Sequence, residues 1–170
     1  MGYLKSVNSI IYFIGKKYDN QINQSYQCSA NGSPYCSKIL PSFTIKYYMK
    51  YFRLTRCHPS CYIGMVIFIE RFLNNNSKGI SFINKWNAHR LVAIAFYIAC
   101  KTIEDVRFNS RCFSKILGIT MDELNKLEIE FLYDIEWNIF VSATDYIKAI
   151  TLHIPPKYHS QLLKGIFTTG

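Results

Sequence analysis

Between Leu91 and Cys100 the chain reads LVAIAFYIAC, an apolar run without a single charge. Asn87 is placed to cap a helix there, Lys101 closes the apolar run, and the helical pattern carries on to about Asp105. The run is about half of the ~20 residues that a membrane span requires, so it is not a crossing segment. A helix that is apolar nearly all round has no face to offer water, so it belongs in the middle of a bundle. This single helix therefore asks for an all-α fold with other helices packed around it.

The rest of the chain supplies the neighbours. Val7, Ile10, Ile11 and Ile14 recur at helical spacing in a segment from about Tyr3 to Tyr18. A polar loop, Asp19 to Lys38, follows, with Gly32 and Pro34 as breakers. Pro41-Ser42 is expected to open the next helix, with Ile45, Tyr48, Met49 and Phe52 on one face. Pro59 suits the first position of a helix running to about Leu73, and a loop containing Gly79 leads to Asn87. Arg111–Leu117 reads as a short helix stopped by Gly118, Thr120 with Glu123 as a capping box, and Ser142 with Asp145 as another cap. Pro155-Pro156 introduces a last short helix. The expected organisation is an N-terminal helix and polar loop (1–40), a helical core (41–141) and a C-terminal helical extension (142–170). A chain of 170 residues, roughly half apolar, suits one such domain.

Several function classes lose support at this stage. Six cysteines stand at irregular positions (28, 36, 57, 61, 100 and 112), and no secretory signal is legible because Gly15 and polar residues interrupt the N-terminal apolar positions. Reduced thiols and a soluble protein of the cytoplasm and/or nucleus are expected. Cys57-His58-Pro59-Ser60-Cys61 offers three candidate ligands against the four of a structural zinc site, and adjacent Cys57 and His58 are poorly placed for thiol catalysis. No metal, cofactor or catalytic residue is expected. The net charge of +9 invites a nucleic-acid reading, but lysines and arginines are scattered without a run, so none is expected. Asn, Lys, Ile and Tyr are all plentiful, so compositional drift accounts for the charge, or complementarity to an acidic partner. Gly2 formally fits an N-myristoylation pattern, although Tyr3 is a poor match to it.

One charge stands out. With Leu124 at zero on a helical wheel, Leu127, Phe131, Leu132 and Ile135 fall within roughly 80° of it, and Glu128 falls near roughly 40°, inside the apolar stripe. Glu123, Lys126, Glu130 and Asp134 fall to one side, where solvent is expected. A carboxylate in an apolar stripe needs a partner. Lys101, at the end of the central helix, is the natural one, and a cation there also suits the helix dipole. A private brace between two helices and a partner-binding contact both remain open on this evidence.

A resemblance bears on that choice. PSFTIKYYMKYFRL, CHPSCYIGMVIFIERFL, NAHRLVAIAFYIACKTIEDVRFNSRCFSKILGIT and MDELNKLEIEFLYDIEWNIFVS follow one another over 41–141 in an order similar to the cyclin box, specifically that of P/U-type cyclins. The IERF signature, the HRL…ACK…ED segment and the ELNKLEIEFL helix carry it. The resemblance implies a single five-helix box with additional N- and C-terminal helices. It implies a non-catalytic regulatory subunit that binds and activates a cyclin-dependent serine/threonine protein kinase, with a cyclin-fold adaptor resembling transcription factor IIB as the alternative. Lys101 and Glu128 fall on the pair that meets the kinase C-helix region, and Leu132, Trp137 and Ile139 on the apolar groove beside it. Glu70 and Arg71 fall on structural positions. The substrate-docking motif of A- and B-type cyclins is not matched by FTIKYYMKYFRL.

Overall fold

The central helix lies where its composition demands. In the computed structural model α4 (Ala88–Ile103) buries every residue from Leu91 to Cys100, none more than 2% exposed. Residues 2–24, 33–37, 39–75, 80, 83–105 and 109–167 are described; Cys28, Gly32, Gly79 and Arg107 lie outside them. The other elements are α1 (Gly2–Gln24), α2 (Ile45–Met49) with a 3₁₀ turn at Tyr51–Thr55, α3 (Pro59–Asn75), α5 (Ser110–Leu117), α6 (Met121–Asp134), α7 (Ala143–His153), a 3₁₀ turn at Pro156–Tyr158, and α8 (His159–Phe167). No strand occurs among the described residues. α3 packs most extensively on α4, and α1, α7 and α8 add their buried faces to the same hydrophobic core, Ile10 and Ile14 from α1, Ile150 from α7 and Leu162 from α8.

Aromatic side chains fill the centre. Phe96 of α4 stacks on Phe52 with centroids 4.4 Å apart, and Tyr62 and Phe113 meet it at 4.9 and 6.3 Å. A second group joins Tyr35, Phe72 and Phe131, the last two stacked at 5.4 Å.

Local chemistry moves several boundaries. The first helix runs on to Gln24, and its Asp19 accepts the backbone N–H groups of Ile45 (2.7 Å) and Lys46 (3.3 Å). With Thr44 accepting from Tyr47 N, this sets the start of α2 beyond Pro41-Ser42, which does not open the helix. Asn87 does not cap α4: its backbone is right-handed helical, so Oδ1 accepts from Asn84 N at 2.8 Å instead. Thr120 does cap α6, but the box stays half-made because the Glu123 carboxylate pairs with Arg90. The Ser142–Asp145 box is complete, and the N–H of Ser142 helps hold the Asp145 carboxyl below its usual range. Gly118 ends α5 at φ 67°, as a glycine can.

Asp134 departs from its expected place in solvent. It is only 4% exposed and accepts from the Tyr35 hydroxyl at 2.5 Å. Burial, and then this bond, push the Tyr35 phenol well above its ordinary value.

Gly15 lets α1 and α2 touch backbone to backbone. A Cβ there would stand 2.6 Å from Lys46 Cα, whereas one at Gly64 would meet mainly the tip of Ile103, at 2.5 Å. Backbone cannot step aside and a side-chain tip can. We expect Gly15→Ala to cost about 1–3 kcal/mol, the usual range for overpacking. Gly64→Ala should cost less, a ranking that thermal melts of the two variants will check.

Candidate functional site

The last turn of α4 climbs out of the core and brings Lys101 against α6. Its Nζ donates to Glu128 Oε1 at 2.5 Å, with the lysine side chain 44% exposed and the glutamate 18%. The pair thus sits at an edge of the molecule, its ammonium also 5.3 Å from the centroid of the Tyr97 ring. Burial pulls the Lys101 ammonium down, but the hydrogen bond and charge of Glu128 outweigh it and leave Lys101 above its ordinary value. A raised lysine keeps its share of stability at every pH below its ordinary value and loses it only as pH climbs through the raised one. Lys101 is therefore cationic at neutral pH. Among the described residues Glu128 Oε2 accepts no hydrogen bond, so an acceptor remains for a partner.

The end of α6 shapes the second half of the site. Glu136 and Trp137 both take left-handed backbone conformations, φ 54° and 56°. Glu136 N donates to Tyr133 O (2.9 Å) and Trp137 N to Leu132 O (2.8 Å), the bonding pattern that commonly closes a helix on glycine. Neither residue is glycine, and two successive left-handed side chains are costly. The turn is held nonetheless: Arg71 Nη1 donates to Asn138 O at 2.6 Å and its Nη2 to Asp145 Oδ2 at 3.3 Å, while Asn75 Nδ2 donates to Asp134 O at 2.6 Å. We expect Glu136→Gly to raise stability by about 1 kcal/mol by removing one of the strained side chains, read as an increase in melting temperature.

This turn points Trp137 outward. It is 54% exposed, with Tyr133 edge-on to it at 5.6 Å, so it does not fill the core. Ile139 is exposed, and Leu132 is half-buried against the core. The structure thus places Lys101 and Glu128 in contact, and sets Leu132, Trp137 and Ile139 at the end of the same helix α6. Sequence reasoning missed three exposed apolar residues in and just after α6, Ile129, Tyr133 and Phe140, of which Tyr133 lies against Trp137. A signal for the first two existed, since they fall roughly 140° and 180° from Leu124, opposite the core stripe.

Glu70 and Arg71 have distinct contacts. Glu70 Oε1 bonds the buried His153 Nε2 at 2.6 Å, and Lys17 Nζ meets His153 Nδ1 at 2.7 Å. The His153 bond holds the Glu70 carboxyl below its usual range, and burial lowers the Lys17 ammonium. His58 does not face Cys57; its Nδ1 lies 2.8 Å from Ser60 Oγ. Cys57 is 1% exposed, and burial pushes the neighbouring Cys100 thiol up. Among the described residues no group of three His, Cys, Asp or Glu could hold a metal ion, and no helix is long and apolar enough to cross a membrane. Met1 and the side chains of residues 2–6, where the acylation pattern falls, lie outside the described set.

Comparison with known proteins gives this geometry a family. The cyclin family model matches residues 14–139. Cyclin-U2-1 of Arabidopsis thaliana is 32% identical over 127 residues, covering 74% of this chain and 56% of its own. Cyclin-P4-1 of Oryza sativa subsp. japonica is 32% identical over 107 residues, covering 62% and 50%. Cyclin-U2-2 of Arabidopsis thaliana is 35% identical over 106 residues, covering 62% and 45%. The chain spans about half the length of these curated relatives. A family model that begins inside α1 and ends at Ile139, and relatives of the U and P classes throughout, make this chain a member of the cyclin family, of the P/U type.

Proposed function

We propose that this chain is the activating regulatory subunit of a cyclin-dependent serine/threonine protein kinase, and that it grips the kinase C-helix region. The observation that carries the reading is the Lys101–Glu128 pair, held at an edge, with Trp137 turned outward in the turn that follows the same helix α6. A kinase must swing its C-helix glutamate inward to pair with the catalytic lysine. A surface that binds only that state shifts the kinase population by its differential affinity. Lys101 offers spare N–H donors and Glu128 a spare oxygen to the kinase backbone, while Leu132, Trp137 and Ile139 receive an apolar side chain. The chain itself does no chemistry in this scheme.

The test is capture of kinases from native extract, followed by reconstitution with the kinase recovered. Lys101→Ala and Glu128→Ala should each weaken binding by about 2 kcal/mol, roughly 30-fold, the lower end for truncating one partner of a hydrogen-bonded charge pair. The swap Lys101→Glu with Glu128→Lys rebuilds the mutual attraction while reversing both charges toward the partner. Full recovery of kinase binding in the swap would reduce the pair to a private brace and sink the assignment.

A further inference from the structure

A second surface lies on α1 and α2, away from the Lys101 edge. α1 packs on α2, α3, α7 and α8, and α2 meets α4 at its first turn, where Tyr48 lies against His89, at the opposite end of α4 from Lys101. Tyr12 and Lys16 stand one helical turn apart on α1, as do Lys46 and Lys50 on α2 and its cap. The backbone approach at Gly15 merges the two rows into one face. Its far end is tied by Arg53, which donates to Asn8 Oδ1 at 3.0 Å.

The charges on this face are organised but not neutralised. Lys16 and Lys46 both hold their ammonium groups near the Tyr12 ring, 5.9 and 5.4 Å from its centroid. Lys50 lies 5.8 Å from the Tyr47 ring centroid, and Tyr47 hydrogen-bonds Tyr51 across their hydroxyls at 3.3 Å. Among the described residues none of Lys16, Lys46, Lys50 or Arg53 has a carboxylate within ion-pair reach. The nearby acid, Asp19, has both oxygens on backbone N–H groups of α2. Tyr12, Tyr47, Tyr51 and Leu54 are all exposed among them. Two like charges sharing one ring repel each other, and a bound anion relieves that repulsion.

We propose that this face docks an Asp/Glu-rich segment of a partner protein. One detail favours carboxylates on a peptide over a nucleic acid. The Tyr12 and Tyr47 rings already have ammonium groups close by, so they make poor stacking platforms for bases. The Arg53 guanidinium commits two of its five N–H donors, to Lys50 O (3.2 Å) and Asn8 Oδ1, and the lysines meet the ligand as point charges. Docking here is independent of the kinase reading, because neither Lys101 nor Trp137 takes part.

The experiment titrates the full chain with a fluorescein-labelled poly-glutamate peptide. Lys16→Glu/Lys46→Glu/Lys50→Glu should weaken binding about tenfold or more, and the neutral set Lys16→Gln/Lys46→Gln/Lys50→Gln severalfold, both with helical content intact. Lys85→Glu/Lys148→Glu/Lys157→Glu carries the same change in net charge elsewhere and should shift binding by about twofold at most. Equal losses in both reversed sets would make the effect one of net charge and overturn the proposal. So would absence of saturable peptide binding. Parallel titrations with an oligo-dT strand and with phosphatidylserine vesicles complete the test: face-dependent binding of either, with peptide binding insensitive to the face, also overturns it. Kinase capture should be unchanged in the face variants, which separates failure here from failure of the kinase reading.

Discussion

Trp137→Ala should abolish most kinase capture while leaving the chain folded. The indole stands half out of the molecule, so truncating it creates no cavity in the core and should move stability by less than about 1 kcal/mol. In the proposed kinase interface the same ring is the largest apolar anchor. Aromatic anchors of this kind cost about 2 kcal/mol or more when removed, a loss of roughly 30-fold or greater in affinity. Tyr133→Ala, which removes the edge-on neighbour at 5.6 Å, should show a smaller loss. Binding measured by calorimetry against the purified kinase, with melts of each variant alongside, separates the two quantities. Retention of full affinity by Trp137→Ala would move the kinase contact away from the end of α6.

The converse is expected at the centre of the bundle. Phe96 is fully buried and touches aromatic rings from the Tyr51–Thr55 turn, α3 and α5 at once. Phe96→Ala leaves a hole that no neighbour can close without unstacking Phe52, and should cost about 3–5 kcal/mol. At about 2–4 °C for each kcal/mol in a chain of this size, the melting temperature falls by roughly 10 °C. Marginal domains have about 5–15 kcal/mol to lose, so a substantial share of the variant will be unfolded near its melting range. Phe140→Ala, at a residue 78% exposed, is the matched control and should change stability by less than about 0.5 kcal/mol.

These two aromatic residues also show what a sequence can and cannot convey. The place of Phe96 follows from its neighbours in the chain, because LVAIAFYIAC leaves no polar face on which a helix could lie at the surface. The Lys101–Glu128 contact follows from phase alone: a carboxylate in an apolar stripe and a lysine at the end of the helix that must pack on it. Trp137 is different. Its outward course depends on left-handed backbone at two residues that are not glycine, and nothing in the local sequence announces it. Asp134 misleads for a related reason. Its partner Tyr35 lies 99 residues away along the chain, so wheel geometry at the edge of the stripe could not tell burial from exposure. Glu123 was legible as a capping residue, but Arg90, from the start of α4, claims the carboxylate first. Long-range polar partners account for the last two misreadings, while the apolar pattern placed the helices.

Arg71 deserves a mechanical reading. One guanidinium grasps the carbonyl of Asn138, next to Trp137, and the carboxylate of Asp145, which caps α7. The N-terminus of the C-terminal extension and the turn that aims the indole are thus fastened to the same rivet, itself seated in α3. Loosening α7, by truncation or by a ligand that pulls on it, would slacken the turn at a distance from any kinase. On the proposed kinase reading, the extension then acts as a tensioner for the turn that carries Trp137.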